Sequence, residues 1–241
     1  MMKEHLIVGL DVPSLGEAEE IVEELSDRVG FFKIGLELFA AAGPAAVEMV
    51  HRHGQRVFLD LKLHDIPNTV AGAARRIAAM GVGMMTMHAM AGTVAMGAAQ
   101  AAAVAAADAA GWPAPLVLGV TVLTSLNQED LTAQNICVPV DRQVISLAGQ
   151  AKASGLGGVV CAGAEARKIK ESCGSDFRTV VPGIRPAWAA GNDQKRTMTP
   201  AEAIANGADY LVVVRPILAA ENRREALSKI LEEMRQSFYN H

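Results

Sequence analysis

At 241 residues, 51% hydrophobic and 20% charged, the chain has ample material for one large core and no signature of disorder. Its net charge of −4 and pI near 5.9 exclude a general nucleic-acid footprint, which needs a basic excess or stripe. One small anion, held by local arginines, is still allowed.

Short apolar or β-branched runs alternate with longer helical segments along the chain. The predicted strands are 6–12 (LIVGLDV), 31–36 (FFKIGL), 57–63 (VFLDLKL), 84–89 (MMTMHA), 116–123 (LVLGVTVL), 158–162 (GVVCA), 179–184 (TVVPGI) and 210–216 (YLVVVRP). Ser14-x-x-Glu17 has capping-box spacing at the start of the first helix. Thr199-Pro200-Ala201-Glu202 repeats it, with Pro at the first helical position. The last helix, 220–238, places Leu227, Ile230, Leu231 and Met234 on one face.

Two segments bear on location. The first apolar run is too short for a signal peptide and Asp11 interrupts it. Residues 89–111 are long and nearly uncharged, but consist mostly of Ala and Gly and contain Gln100 and Asp108. They predict a packed helix rather than a membrane span. Cys137, Cys161 and Cys173 are widely spaced with no C-x-x-C pair. Neither a zinc ribbon nor a disulfide framework is indicated, and a reducing, cytoplasmic setting fits best.

Eight βα units in a chain of this length predict an α/β fold, a (β/α)8 TIM barrel forming one domain over residues 1–241. A doubly wound sheet is disfavoured, because no G-x-G-x-x-G fingerprint follows the first strand. The interval 124–157 has room for a loop before its helix.

Barrel active sites form at the C-terminal strand ends, and the polar residues fall there. Asp11 ends the first strand, Lys33 lies in the second, and Asp60 and Lys62 lie near the end of the third. His88 ends the fourth, Thr124 and Ser125 follow the fifth, Arg185 follows the seventh and Arg215 ends the eighth. Asp60 and Lys62 are two apart, so a regular strand sends both to one face.

Plainer roles compete with the functional ones. Lys33 would snorkel to the barrel mouth, Asp60 and Lys62 would form a buried ion pair, and Asp65 would cap the helix ahead of Pro67. His88 reads as a satisfied barrel histidine, and His51 and His53 as surface residues. A phosphate site is the stronger reading for the loops after the seventh and eighth strands. There Gly183 permits close backbone approach, and Arg185 and Arg215 supply charge-assisted forks.

These residues spell a known pattern. The run DLKLHDIPNT (60–69) resembles the active-site signature of the orotidine 5′-monophosphate decarboxylase family. GLDVP (9–13), FKIGLELF (32–39), VTVLTS (120–125), VVCAGAE (159–165), VPGIRP (181–186), GNDQKRTMTPAEAI (191–204) and ADYLVVVRPI (208–217) resemble its bacterial branch. D-x-K-x-x-D alone is shared with related sugar-phosphate barrels. Together with DIPNT, PGIR, DQ-x-R and the final RP, it is highly specific.

The resemblance implies a homodimeric barrel that converts orotidine 5′-monophosphate to UMP and CO2 without metal or organic cofactor. It implies that Lys62 protonates C6 of the pyrimidine, that Asp60 lies beside the departing carboxylate, and that Asp65 reaches into the partner's site with Thr69 near the ribose. Asp11 and Lys33 would bind ribose hydroxyls and complete the charged array. Thr124 and Ser125 would hold the pyrimidine side. Arg185, Gln194 and Arg215 would hold the phosphate, with Pro182 and the backbone near Val214 in the same binding set. Loops 124–135 and 183–196 would close over it.

The bacterial pattern usually has Gly before the last arginine, where this chain has Val214. Val disfavours positive φ, so the phosphate geometry on the eighth strand is where the pattern is under most strain. Two other readings are carried forward. One is a Mg²⁺-dependent sugar-phosphate decarboxylase or aldolase of the same barrel group, which Lys33 opposes. The other is a barrel that binds nucleotide without catalysis.

Overall fold

The computed structural model describes residues 2–189 and 197–238. Eight parallel strands close into a barrel in sequence order: β1 (Leu6–Gly9), β2 (Phe31–Ile34), β3 (Val57–Leu63), β4 (Met84–His88), β5 (Leu116–Val120), β6 (Gly158–Val160), β7 (Arg178–Val181) and β8 (Tyr210–Val213). β8 pairs back onto β1, with Leu6 opposite Leu211. The eight-stranded barrel read from the sequence is therefore the observed fold.

Around it run α1 (Leu15–Leu25), α2 (Leu36–Ala42), α3 (Pro44–Arg52), α4 (Pro67–Ala79), α5 (Thr93–Ala109), α6 (Gln128–Ala133), α7 (Val140–Ala153), α8 (Ala166–Cys173), α9 (Pro200–Ala205), α10 (Arg215–Leu218) and α11 (Arg223–Phe238). Both predicted caps form. Ser14 Oγ accepts from the Glu17 N–H at 3.3 Å. Thr199 and Glu202 close a reciprocal box, with the Thr199 N–H donating to Glu202 Oε2 at 2.9 Å. Another reciprocal box, Asn127 with Asp130, opens α6 within the interval 124–157.

α5 buries Ala95, Met96, Ala99, Ala103 and Ala107 and packs against α4. None of the described helices is long and apolar enough to cross a membrane. α11 buries Leu227, Ile230, Leu231 and Met234, the face expected of it.

The strand period of two sorts side chains into two cores. Leu6, Val8, Phe32, Val57 and Leu59 point outward and pack under the helices. Ile7, Phe31, Phe58, Met84, Leu118, Val180 and Val212 point inward and fill the barrel. Filling by bulky side chains makes a barrel interior a packed core rather than a pore. Two residues further along, on the same inner face, stand Lys33 after Phe31, Asp60 after Phe58 and Thr86 after Met84. Sequence alternation alone therefore lifts these polar groups to the layer above the apolar plug.

Several strands stop short of their predicted ends. β7 leaves the ladder at Pro182, which has no N–H, and Gly183, whose φ is +76°. The chain then touches a parallel neighbour once more, through Ile184 and Met198. β8 stops before Val214 because Arg215 and Pro216 open α10.

The opposite, N-terminal end of the barrel carries its own half-buried carboxylate. Asp209, just before β8, accepts from Lys170 Nζ at 2.6 Å, Arg178 Nη1 at 3.0 Å, the Thr179 N–H at 2.7 Å and Thr179 Oγ1 at 3.1 Å. Burial alone would raise its pKa, but the Lys170, Thr179 and Arg178 hydrogen bonds outweigh burial and lower it. Asp209→Asn is expected to cost about 3 kcal/mol in urea unfolding at pH 7. A depressed carboxyl stabilises the fold above its unfolded pKa of about 3.9 and loses that contribution as pH falls through its lower folded value. The gap between wild type and variant should accordingly shrink with acidification. A gap that is constant from pH 7 to pH 3 would remove the charge-based account.

Candidate active site

A cavity of about 640 Å³ opens at the C-terminal end of the barrel. One side of its lining is charged, with Asp11, Lys33, Asp60 and Lys62. Arg185 also lines it, from the loop that follows β7, and so does Arg215, from the start of α10. Phe58, Val120, Val160 and Val212 supply apolar surface from the inner face of the strands.

Asp60 is the centre of the charged side. It is 8% exposed, as is Lys33. Its Oδ2 accepts from Lys62 Nζ at 2.8 Å and lies 3.7 Å from Lys33 Nζ. Its Oδ1 accepts from Thr86 Oγ1 at 2.9 Å. Lys33 Nζ also donates to Asp11 Oδ1 at 3.0 Å, so the array runs Asp11, Lys33, Asp60, Lys62. Burial pushes the Asp60 carboxyl upward, but the Lys33 and Lys62 charges, with hydrogen bonds from Lys62 and Thr86, hold it below the usual carboxylate range.

Asp60 and Lys62 meet, but not by the regular alternation expected. Leu59 pairs with Met85 and Leu63 with Met87, so β3 advances four residues while β4 advances two. Asp60, Leu61 and Lys62 thus stand opposite Thr86 alone. Lys62 adopts φ +53°, a left-handed conformation uncommon outside glycine. This bulge turns the Lys62 side chain back onto Asp60, and the Lys62 N–H is satisfied by Thr86 Oγ1 at 2.9 Å.

The remaining expected residues divide into two groups. Thr124, Pro182, Arg185, Val214 and Arg215 line the same cavity as the charged array. Asp65, Thr69 and Ser125 are exposed and do not line it. Asp65 is not the cap of α4 either. Ile66 holds that position, and Asp65 Oδ1 accepts from the Ile66 N–H at 2.6 Å. Gln194 lies outside the described residues, as does the part of the 183–196 loop from 190 onward.

Val214 has φ −126°, so the left-handed backbone that valine resists is not required. Its side chain occupies space that Gly9 leaves bare, since a Cβ on Gly9 would lie 2.5 Å from Val214 Cγ2. His51 and His53 are half-buried rather than free surface residues. His51 stacks on Trp112 with ring centroids 6.0 Å apart, and His53 pairs with Glu19 at 3.2 Å. His88 lies against the His64 ring, centroids 5.2 Å apart, and its pKa is lowered by burial, then by His64 and Lys62. Thr86 and the apolar lining escape a search for charged motifs. The signal for Thr86 was its place two residues after Met84 on an inward face.

The orotidine 5′-phosphate decarboxylase / HUMPS family model matches residues 4–230. The chain belongs to this family. It is 50% identical to the orotidine 5′-phosphate decarboxylase of Moorella thermoacetica, over 96% of this chain and 92% of that protein. To the orotidine 5′-phosphate decarboxylase of Carboxydothermus hydrogenoformans it is 49% identical, over 97% of each chain. The crystal structure of orotidine 5′-phosphate decarboxylase from Lactobacillus acidophilus superposes with a TM-score of 0.84 at 38% identity, covering 95% of this chain and 98% of that one. Family membership matches the sequence resemblance along nearly the whole length, including the strands that carry the array.

The electrostatics of Asp60 are open to direct measurement. Its carboxyl is expected to titrate, by carbon-13 NMR, below the ordinary value of about 3.9, and Lys33→Ala should raise it. A wild-type Asp60 that titrates normally would show that the two lysines do not outweigh burial.

Proposed function

We propose that the chain decarboxylates orotidine 5′-monophosphate to UMP and CO2, a step of pyrimidine nucleotide synthesis, in the cytoplasm. The observation that carries this reading is one cavity lined by the Lys33–Asp60–Lys62 cluster and by Arg185 and Arg215. A nucleotide monophosphate needs both: charges at the reacting base and cations for a remote phosphate. Its relatives' names point to the same substrate.

Loss of CO2 leaves an electron pair at C6 of the pyrimidine, with no adjacent carbonyl to take the charge. The protein must then stabilise it electrostatically. Lys62 acts first as a fixed positive charge and then donates its proton to C6. At about 4 Å and an effective dielectric near 20, such a contact is worth roughly 4 kcal/mol before desolvation. Asp60, 2.8 Å from the Lys62 ammonium, keeps it aimed beside the departing carboxylate. Asp11 and Lys33 take the ribose hydroxyls, Thr124 and Ser125 the pyrimidine side, and Arg185, Gln194 and Arg215 the phosphate, with Pro182 and the backbone near Val214. Binding energy at the phosphate drives closure of loops 124–135 and 183–196.

The reading invokes no metal. A divalent cation shared by Asp11 and Asp60 would compete with Lys33, which stands 3.0 Å from one carboxylate and 3.7 Å from the other. Charge repulsion thus disfavours the Mg²⁺-dependent alternative. The site is completed by a second copy, with Asp65 and Thr69 reaching the partner's cavity. Two features support this. Asp65 is exposed and absent from its own cavity lining. Leu36, Ile66 and Met90, just beyond β2, β3 and β4, leave large apolar side chains exposed at the C-terminal end of the barrel.

Purified protein should consume orotidine monophosphate absorbance with EDTA present. Lys62→Ala should lower kcat/KM by at least about 10⁴-fold while UMP still binds. Chelator-sensitive turnover would revive the metal-dependent alternative, and UMP binding without CO2 release would support a silent barrel. Mixing inactive Asp65→Ala and Lys62→Ala subunits should restore part of the activity through hybrid dimers with one intact site. Absence of any rescue, with subunit exchange verified, would contradict a shared site.

A further inference from the structure

Thr86 has no part in the family signature, yet it touches both halves of the charged pair. It is 1% exposed, at the middle of β4. Its single oxygen accepts from the Lys62 N–H at 2.9 Å and donates to Asp60 Oδ1 at 2.9 Å. The two bonds orient each other. With one lone pair taken by the amide, the hydroxyl proton points to the carboxylate.

The position explains why a hydroxyl stands there. Three residues of β3 face Thr86 alone, so the Lys62 N–H has no regular ladder partner at the bulge. A buried N–H without an acceptor is costly. An apolar residue at 86 would leave both that amide and one Asp60 oxygen unserved. Lys62 at φ +53° is a conformation that persists only when its surroundings over-determine it.

We infer that Thr86 is a positioning residue: its hydroxyl locks the bulge of β3 and thereby fixes the Lys62 ammonium and the Asp60 carboxylate relative to the reacting carbon. The inference rests on the reading that these two groups face that carbon. It separates from binding, because Thr86 does not line the cavity, and from packing, because valine matches threonine in shape and strand preference.

The test compares wild type, Thr86→Val and Thr86→Ser. Thr86→Val should lower kcat about 10- to 100-fold, the scale of a misplaced catalytic group, with KM and the UMP Kd within about 3-fold. Thr86→Ser, which restores the hydroxyl, should return kcat to within about 3-fold of wild type. Protection of the Lys62 N–H from hydrogen exchange should be lost in Thr86→Val and kept in Thr86→Ser. If Thr86→Val does not fold, Thr86→Ala against Thr86→Ser isolates the hydroxyl in the same way. Wild-type kcat in the hydroxyl-free variant, or equal loss in Thr86→Ser, would overturn the inference. Hydrogen exchange needs no turnover. A wild type inactive on orotidine monophosphate would therefore sink the proposed function alone, while exchange would still judge Thr86.

Discussion

An ionised Asp60 inside the barrel is the constraint around which the upper layer is arranged. A carboxylate buried to 8% exposure cannot stay charged without compensation. Lys33 and Lys62 supply opposite charge from β2 and β3, and Thr86 supplies a hydrogen bond from β4. In return Asp60 is the carboxylate that Lys62 binds, and Lys33 is shared between Asp60 and Asp11. Below this layer, Phe31, Phe58 and Met84 exclude water and keep the local dielectric low. That raises both the penalty for an unpaired charge and the strength of each pairing. The plug and the array are therefore one device.

The barrel solves the same problem twice, with different outcomes. At the N-terminal end Asp209 meets two cations and a threonine, as Asp60 does at the other end. Asp209 takes four donors, one of them a backbone N–H, and sits where strands begin. Its chemistry is closed, and stability is its use. The Asp60 cluster faces a cavity of about 640 Å³, with Lys62 at the open edge. A cation that is held by one carboxylate and still reaches open space can act on a bound molecule. Carboxylates at the N-terminal face of a barrel read as structural, and those at the C-terminal face as functional.

Short apolar runs made the eight strands legible, because a parallel strand buried on both faces is nearly continuous in apolar residues. The two caps were legible because hydroxyl and carboxylate spacing is local. Strand ends were not, since β7 leaves its ladder at Pro182, which lacks an N–H, and β8 gives way to a short helix opened by Arg215 and Pro216. The bulge was hidden for a related reason. A two-residue spacing states which face side chains share on a regular strand, and nothing in VFLDLKL marks where β3 outruns β4. Thr86 was missed because a lone threonine in an apolar strand looks like ordinary strand composition. Its meaning appears only when β3 and β4 lie side by side. His51 looked exposed because its partners, Trp112 and Met80, are far away in sequence.

The bulge also links two roles that the run DLKLHDIPNT seems to hold separately. A regular strand would continue along the barrel wall beyond Lys62. Instead the backbone turns at φ +53°, the Lys62 side chain folds inward, and His64 to Thr69 emerge exposed at the rim. The conformation that aims Lys62 at its own cavity is thus the one that carries Asp65 and Thr69 away from it. In the proposed shared site, this makes the inward and outward contributions of the segment mutually dependent. Loosening the bulge at Thr86 would disturb one subunit's Lys62 and, through the same backbone, the reach of Asp65 toward the other. Coupling of that kind requires no rearrangement of the barrel, only a strand whose excess length is fixed by a single hydroxyl.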